Sequence, residues 1–243
     1  MKKTKTILLG ICVVLGLAIT SCTKDNFFAN NIKGKGNIIE QSRSEMGFSG
    51  VDLSIDADVI ITTSSDNYSI VIEAQQNIAD NIELKVRNGV LQIGYHRNVR
   101  SHLPITIRIS MPMLTEANIS GSGSVSTNGL FYSSNFSSDI SGSGNLNLQI
   151  ETSDADFNLS GSGKIILTGK TQNANYNISG SGDVNALSFP SLVVDADISG
   201  SGNISVDVQN KLNVSISGSG NIKYKGTPAV SADMSGSGKI NSI

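Results

Sequence analysis

The sequence predicts an all-β fold: a single-stranded β-helix, or solenoid, whose two packed sheets are joined by Ser-Gly-Ser-Gly turns. Three observations carry this. The tetrapeptide occurs seven times, from Ser120, Ser141, Ser160, Ser179, Ser199, Ser217 and Ser235, at intervals of 18 to 21 residues, and a period near 20 marks a solenoid. Apolar residues alternate with polar ones on both sides of every copy. Ile119, Ile140, Leu159, Ile178, Ile198, Ile216 and Met234 stand just before it, and Val125, Leu146, Ile165, Val184, Ile204, Ile222 and Ile240 stand five residues after its first serine. This is the period-2 pattern of half-buried strands, which a flexible Ser/Gly linker has no reason to keep. Finally, stacking would make equivalent residues cross-strand neighbours, where like charges are destabilising. The position two before each motif reads Asn118, Asp139, Asn158, Asn177, Asp197, Ser215, Asp233, and the position four before reads Glu116, Ser137, Asp156, Asn175, Asp195, Asn213, Ser231. The position just after reads Ser124, Asn145, Lys164, Asp183, Asn203, Asn221, Lys239. No two acids are adjacent in any of the three.

In chain order, residues 1–21 read as a signal peptide. Lys2, Lys3 and Lys5 precede an uncharged run from Ile7 to Ile19, too short to span a bilayer, which needs about 20 apolar residues. Ile19-Thr20-Ser21-Cys22 resembles the lipobox of bacterial lipoproteins, which implies cleavage before Cys22 and lipidation of its thiol. Several acyl chains on one residue anchor stably where one is marginal. Cleavage removes Cys12 as well, so the processed chain keeps no free thiol for catalysis, a disulfide or a thiolate metal site. Residues 22–33 are the lipidated tether. Lys24-Asp25 resembles the surface-export signal of Bacteroidetes lipoproteins, with Asn26 in place of a second acid.

Residues 34–119 lack the motif but keep the strand character. Val51, Leu53 and Ile55 alternate, as do Ile82, Leu84 and Val86, and Ile105, Ile107 and Ile109. Asn88-Gly89 between two such runs is a tight-turn signal, and no run has a helical period. The region reads as the first coils of the solenoid, with a less regular surface, and every arginine of the chain lies in this half.

Residues 120–243 are the regular solenoid. Each repeat parses as strand, Ser-Gly-Ser-Gly turn, strand and a second, variable turn that absorbs the differences in length. The turn residues are Gly121, Gly123, Gly142, Gly144, Gly161, Gly163, Gly180, Gly182, Gly200, Gly202, Gly218, Gly220, Gly236 and Gly238, a residue type that reverses direction without a Cβ clash. About eleven coils over the whole chain would give a rod roughly 50 Å long at the strand spacing.

The serial Ser-Gly-Ser-Gly turns, the run from Gly34-Lys35-Gly36-Asn37 through Phe48-Ser49-Gly50-Val51, and the lipoprotein signal together resemble the head GIN domain family of auto-transporter adhesin-like proteins. The match runs from about residue 34 to residue 243. The resemblance implies a pectin-lyase-like β-helix, an adhesin role, and no catalytic residues.

The chemistry readable from the residues is sparse. A formal charge of −2 with 16% charged residues provides no electrostatic footprint for nucleic acid. Phosphate loops need a helix after the glycines, and calcium-binding glycine repeats need an aspartate in every turn; neither holds here, so no metal or cofactor is expected. Asp156 and Asp195 fall in one column two coils apart, near the upper end of the separation used by inverting glycosidases. That makes a polysaccharide hydrolase or lyase the rival reading. Candidate ligand contacts are the basic cluster with His96, Arg97, Arg100 and His102, read as an exposed loop, and Phe131 and Tyr132 in the longest repeat. The reading favoured by the sequence is a non-enzymatic, lipid-anchored scaffold of the outer membrane, on its periplasmic or cell-surface face. Its expected partners are the membrane through the anchor, a glycan or protein ligand, and a second copy of itself.

Overall fold

Alternating apolar positions on a short strand are buried only when a second sheet covers them, and a coil supplies that sheet from the same chain. The computed structural model describes residues 31–65 and 67–243, and in it 71% strand and 2% helix form a β-solenoid of about seven turns. The expected signal peptide, Cys22 and most of the tether lie outside the described residues.

The first part of the chain forms β1 (Ile32–Lys33), β2 (Ile38–Arg43), β3 (Gly50–Leu53), β4 (Asp58–Thr63), β5 (Ser69–Gln75), the single-turn helix α1 (Gln76–Ala79), β6 (Ile82–Arg87), β7 (Val90–Tyr95), β8 (Val99–Ser101) and β9 (Thr106–Met111). The repeats form β10 (Glu116–Gly121), β11 (Ser124–Asn128), β12 (Phe131–Tyr132), β13 (Asn135–Gly142), β14 (Asn145–Glu151), β15 (Asp154–Gly161), β16 (Lys164–Gly180), β17 (Asp183–Gly200), β18 (Asn203–Gly218), β19 (Asn221–Lys225), β20 (Ala229–Gly236) and β21 (Lys239–Ser242).

Strands that lead into a Ser-Gly-Ser-Gly corner, or into the equivalent corner of the first part, stack parallel as an entry sheet: β7, β3, β10, β13, β15, the later halves of β16, β17 and β18, then β20. Strands that leave such a corner stack as an exit sheet: β9, β4, β11, β14, the first halves of β16, β17 and β18, then β19 and β21. The core between them is continuous and mostly aliphatic, with an aromatic run in the repeats. Phe136 and Phe157 lie 5.6 Å apart between ring centroids, and Phe157 and Tyr176 lie 5.5 Å apart.

Only the first glycine of each corner needs a positive φ, but from Gly142 onward a Cβ on either glycine would strike the preceding rung. The first has φ between 116° and 135° in all seven copies, a region that L side chains rarely adopt. The second sits where a Cβ would strike the preceding rung: at Gly163 it would lie 2.2 Å from the carbonyl oxygen of Gly144. Close stacking lets the ladder run through the corner, with the Ser162 N–H donating to the Gly142 carbonyl at 2.8 Å and the Lys164 N–H to the Gly144 carbonyl at 3.2 Å.

The second corner differs from the expected variable turn in three rungs, where β16, β17 and β18 pass through it as unbroken strands of 17, 18 and 16 residues. Length differences are absorbed as register shifts instead. Between β17 and β18 the pairing jumps from Ala186↔Val206 to Ser191↔Val208, and Pro190 falls inside that irregularity, a place where a residue without an N–H is tolerated.

The first part of the chain departs most from expectation. It supplies two layers rather than several serial coils, and their order is reversed. β3 and β4 sit next to the repeats, and the later β7 and β9 stack outside them. The outermost strands are antiparallel: β6 on β7, β5 on β9 and β2 on β5. Asn88 (φ 50°) and Gly89 (φ 79°) form the predicted tight turn, and such a turn makes a hairpin that cannot extend a parallel coil. Between β5 and β6, α1 buries Ile78 and Ala79 completely and plugs the core. These two layers and the seven rungs of the repeats together stack to a length of roughly 40 Å, shorter than the rod expected.

Candidate functional site

Because side chains alternate, the positions two, four and six before each motif all face outward from the entry sheet. Register confirms the sequence columns and lengthens them. Gln92 pairs with Asp52, Asp52 with Asn118, and the column continues through Asp139, Asn158, Asn177, Asp197 and Ser215 to Asp233. Amides and hydroxyls separate the acids at every step. Asn158 Nδ2 donates to Asp139 at 2.9 Å, Asn173 to Asp154 at 2.8 Å, Asn175 to Asp156 at 3.3 Å and Asn213 to Asp195 at 2.5 Å. On the exit sheet Asn203 donates likewise to Asp183 at 2.8 Å. Burial, and then the nearby Glu116 carboxylate, push the pKa of Asp52 up.

The entry face is not flat throughout. Between Met113 and Asp195 it forms a groove of about 730 Å³, lined by Glu116, Asp154, Asp156, Asn173 and Asn175, with the apolar Ala155, Ala174 and Phe136 at its floor. No lysine, arginine or histidine lines it. The Oδ1 atom of Asp156 is buried there without a hydrogen-bond partner. Asp156 and Asp195 lie one on each side of Asn175, as the repeat spacing predicts, two strand spacings or about 9.6 Å apart. Sequence reasoning found these two acids but missed Met113, Asp154 and Asn173. The position six before each motif, read as a column, would have supplied the last two.

The basic cluster occupies the corner of the end layer. Ile93 pairs with Leu53 and Thr106 with Asp58, so residues 94–105 form an enlarged corner over residues 54–57, which in turn stand beneath the first Ser-Gly-Ser-Gly. The expected exposed loop is partly ordered. Val99–Ser101 pairs with β1, so Ile32 and Lys33, read as tether, belong to the fold. Asn81 Nδ2 donates to the Arg97 carbonyl at 2.7 Å, and Asn81 Oδ1 accepts from the Arg97 N–H at 3.1 Å. His96 lies 3.2 Å from Glu83. Arg100 and His102 do meet, lining a hollow of about 440 Å³ with Asp56 and Tyr95. Burial, and then the Asp56 charge, push the Tyr95 pKa up to about 12. Phe131 and Tyr132 are divided: Phe131 is core, whereas Tyr132 is 65% exposed. Both pair with Ile150 and Glu151 at the far end of β14, away from the basic cluster. Among the described residues no three potential metal ligands cluster, and no helix is long and apolar enough to cross a membrane.

Comparison with known proteins agrees with this architecture. No curated protein matches the chain. A crystal structure of a putative adhesin from Bacteroides fragilis superposes with a TM-score of 0.83 at 25% identity, covering 88% of this chain and 100% of that one. One of a putative lipid binding protein from Parabacteroides distasonis does so with a TM-score of 0.74 at 24% identity, covering 88% and 99%. A putative adhesin from Parabacteroides merdae gives 0.71 at 21% identity, covering 88% and 100%. The family model described as "Putative auto-transporter adhesin, head GIN domain" matches residues 47–228, and the chain belongs to that family.

Proposed function

We propose that this chain is a lipid-anchored, non-enzymatic adhesion module of the outer membrane, and that its entry-sheet groove binds a glycan. The groove itself carries the reading. Carboxylates and amides recur there at the strand spacing above an apolar floor, a pattern suited to the repeating hydroxyls and hydrophobic faces of a polysaccharide. Its four carboxylates and lack of bases favour neutral over acidic sugars. The adhesin neighbours and the lipobox-like Cys22 support the setting.

The hydrolase reading is weaker on one specific ground. A catalytic acid pair should be set apart from its surroundings, yet Asp156 and Asp195 each accept from an asparagine of the next rung, as do Asp139, Asp154 and, on the opposite sheet, Asp183. Glycan arrays probed with the detergent-solubilised chain should show retention of neutral polysaccharides. D156N and N175A should weaken it about tenfold, with no new reducing ends released. Product release abolished by D156N would favour the enzyme; no retention of any glycan would leave a protein ligand. Proteinase treatment of intact cells should remove the domain if it faces outward.

A further inference from the structure

The two ends of the stack are finished differently. At one end the chain caps itself with antiparallel strands, and those edges are charged: Glu40 and Arg43 on β2, and Glu83, Lys85 and Arg87 on β6. Charged edges discourage further strand pairing. At the other end, β20 pairs only with β18 and β21 only with β19, and among the described residues nothing pairs with their outer edges. Val230 is 43% exposed and Met234 41%, although both continue columns that are buried in earlier rungs. The rung from Ala229 to Ser242 carries two charges, Asp233 on β20 and Lys239 on β21.

We infer that this open rung is the interface for a second copy of the chain, joined by a two-fold axis that passes through the last Ser-Gly-Ser-Gly corner. β20 runs into that corner and β21 runs out of it, so the axis lays β20 of one copy antiparallel on β21 of the other, twice per dimer. This repeats between copies the antiparallel capping that β5 and β6 achieve within one chain. It brings Asp233 to the strand that bears Lys239, and both opposite-charge contacts form at once. A two-fold that set β20 on its own copy would bring Asp233 to a strand whose one charge has the same sign, and head-to-tail stacking would meet the charged edges of β2 and β6. The pairing covers Val230 and Met234 and closes the assembly at two copies, leaving both groove faces open.

Sedimentation of the detergent-solubilised full-length chain tests this, with the variants D233K, K239D and the double exchange. Both residues are exposed, so the variants retain the fold. The parent chain should dimerise below about 100 µM. Each single reversal should raise the dimer dissociation constant about tenfold, because two contacts turn from attraction to repulsion, and the double exchange should restore it. A parent chain that stays monomeric at that concentration, a dimer indifferent to both reversals, or a double exchange without rescue each overturns the proposal.

Discussion

The corner at residues 54–57 and the seven Ser-Gly-Ser-Gly corners turn the chain through the same step with different chemistry. The former uses Ser54-Ile55-Asp56-Ala57, with Ile55 and Ala57 buried and no glycine. Reversal alone therefore does not demand glycine. What demands it is the neighbouring rung. A Cβ on Gly121, the first of its column, meets nothing within 4 Å, but one on Gly142 would lie 2.6 Å from the Gly121 carbonyl oxygen, and one on Gly161 2.1 Å from that of Gly142. Once one glycine corner packs on another, each enforces the next.

The comparison is sharpest at two equivalent positions. G161A should cost about 4 kcal/mol, since the strain of its φ of 131° adds to overpacking against backbone. G121A meets the strain alone, at a φ of 121° with open space around it, and should cost about 1–2 kcal/mol. Urea titration of the two variants measures the gap; equal losses would assign the glycine requirement to the turn rather than to stacking.

A smaller effect probes the outward columns of the repeats. N158D places a carboxylate directly beside Asp139 and removes the amide that donates to it. It should lower stability by up to about 1 kcal/mol at neutral pH, less in high salt. The end layers invite the opposite change. Asp52 has its pKa raised above 3.8 by burial and by Glu116, so its ionisation opposes folding. That penalty is absent below the unfolded value and complete above the folded one. D52N should therefore raise the melting temperature at pH 7 and leave it unchanged near pH 3. A gain of equal size at both pH values would point to packing rather than charge.

Much of the repeat half was legible because its determinants are periodic. Leu159 and Ile165 mark buried faces by alternation, Gly161 and Gly163 mark the corner, and the Asp139–Asn158–Asn177 column predicted a register that the strands keep. The first half was less legible because its corners share no motif. Residues 94–105 and 54–57 occupy equivalent places with twelve residues and four, and nothing local in Tyr95 to His102 reveals that they form the same corner. Met113 escaped notice for a related reason: it precedes the first repeat and belongs to no column, yet the fold places it at the rim of the groove.

By itself the sequence determined the coil, its two faces, its corners and the spacing of its outward charges, because each follows from interactions repeated at one period along the chain. The tertiary structure alone decided that β7 and β9 lie outside β3 and β4, that antiparallel strands and α1 close one end, and that the entry face hollows into a groove. Those outcomes depend on which distant strands claim an open edge first. Neither propensity nor periodicity encodes that competition; it is settled only when every apolar face and backbone ladder is placed together.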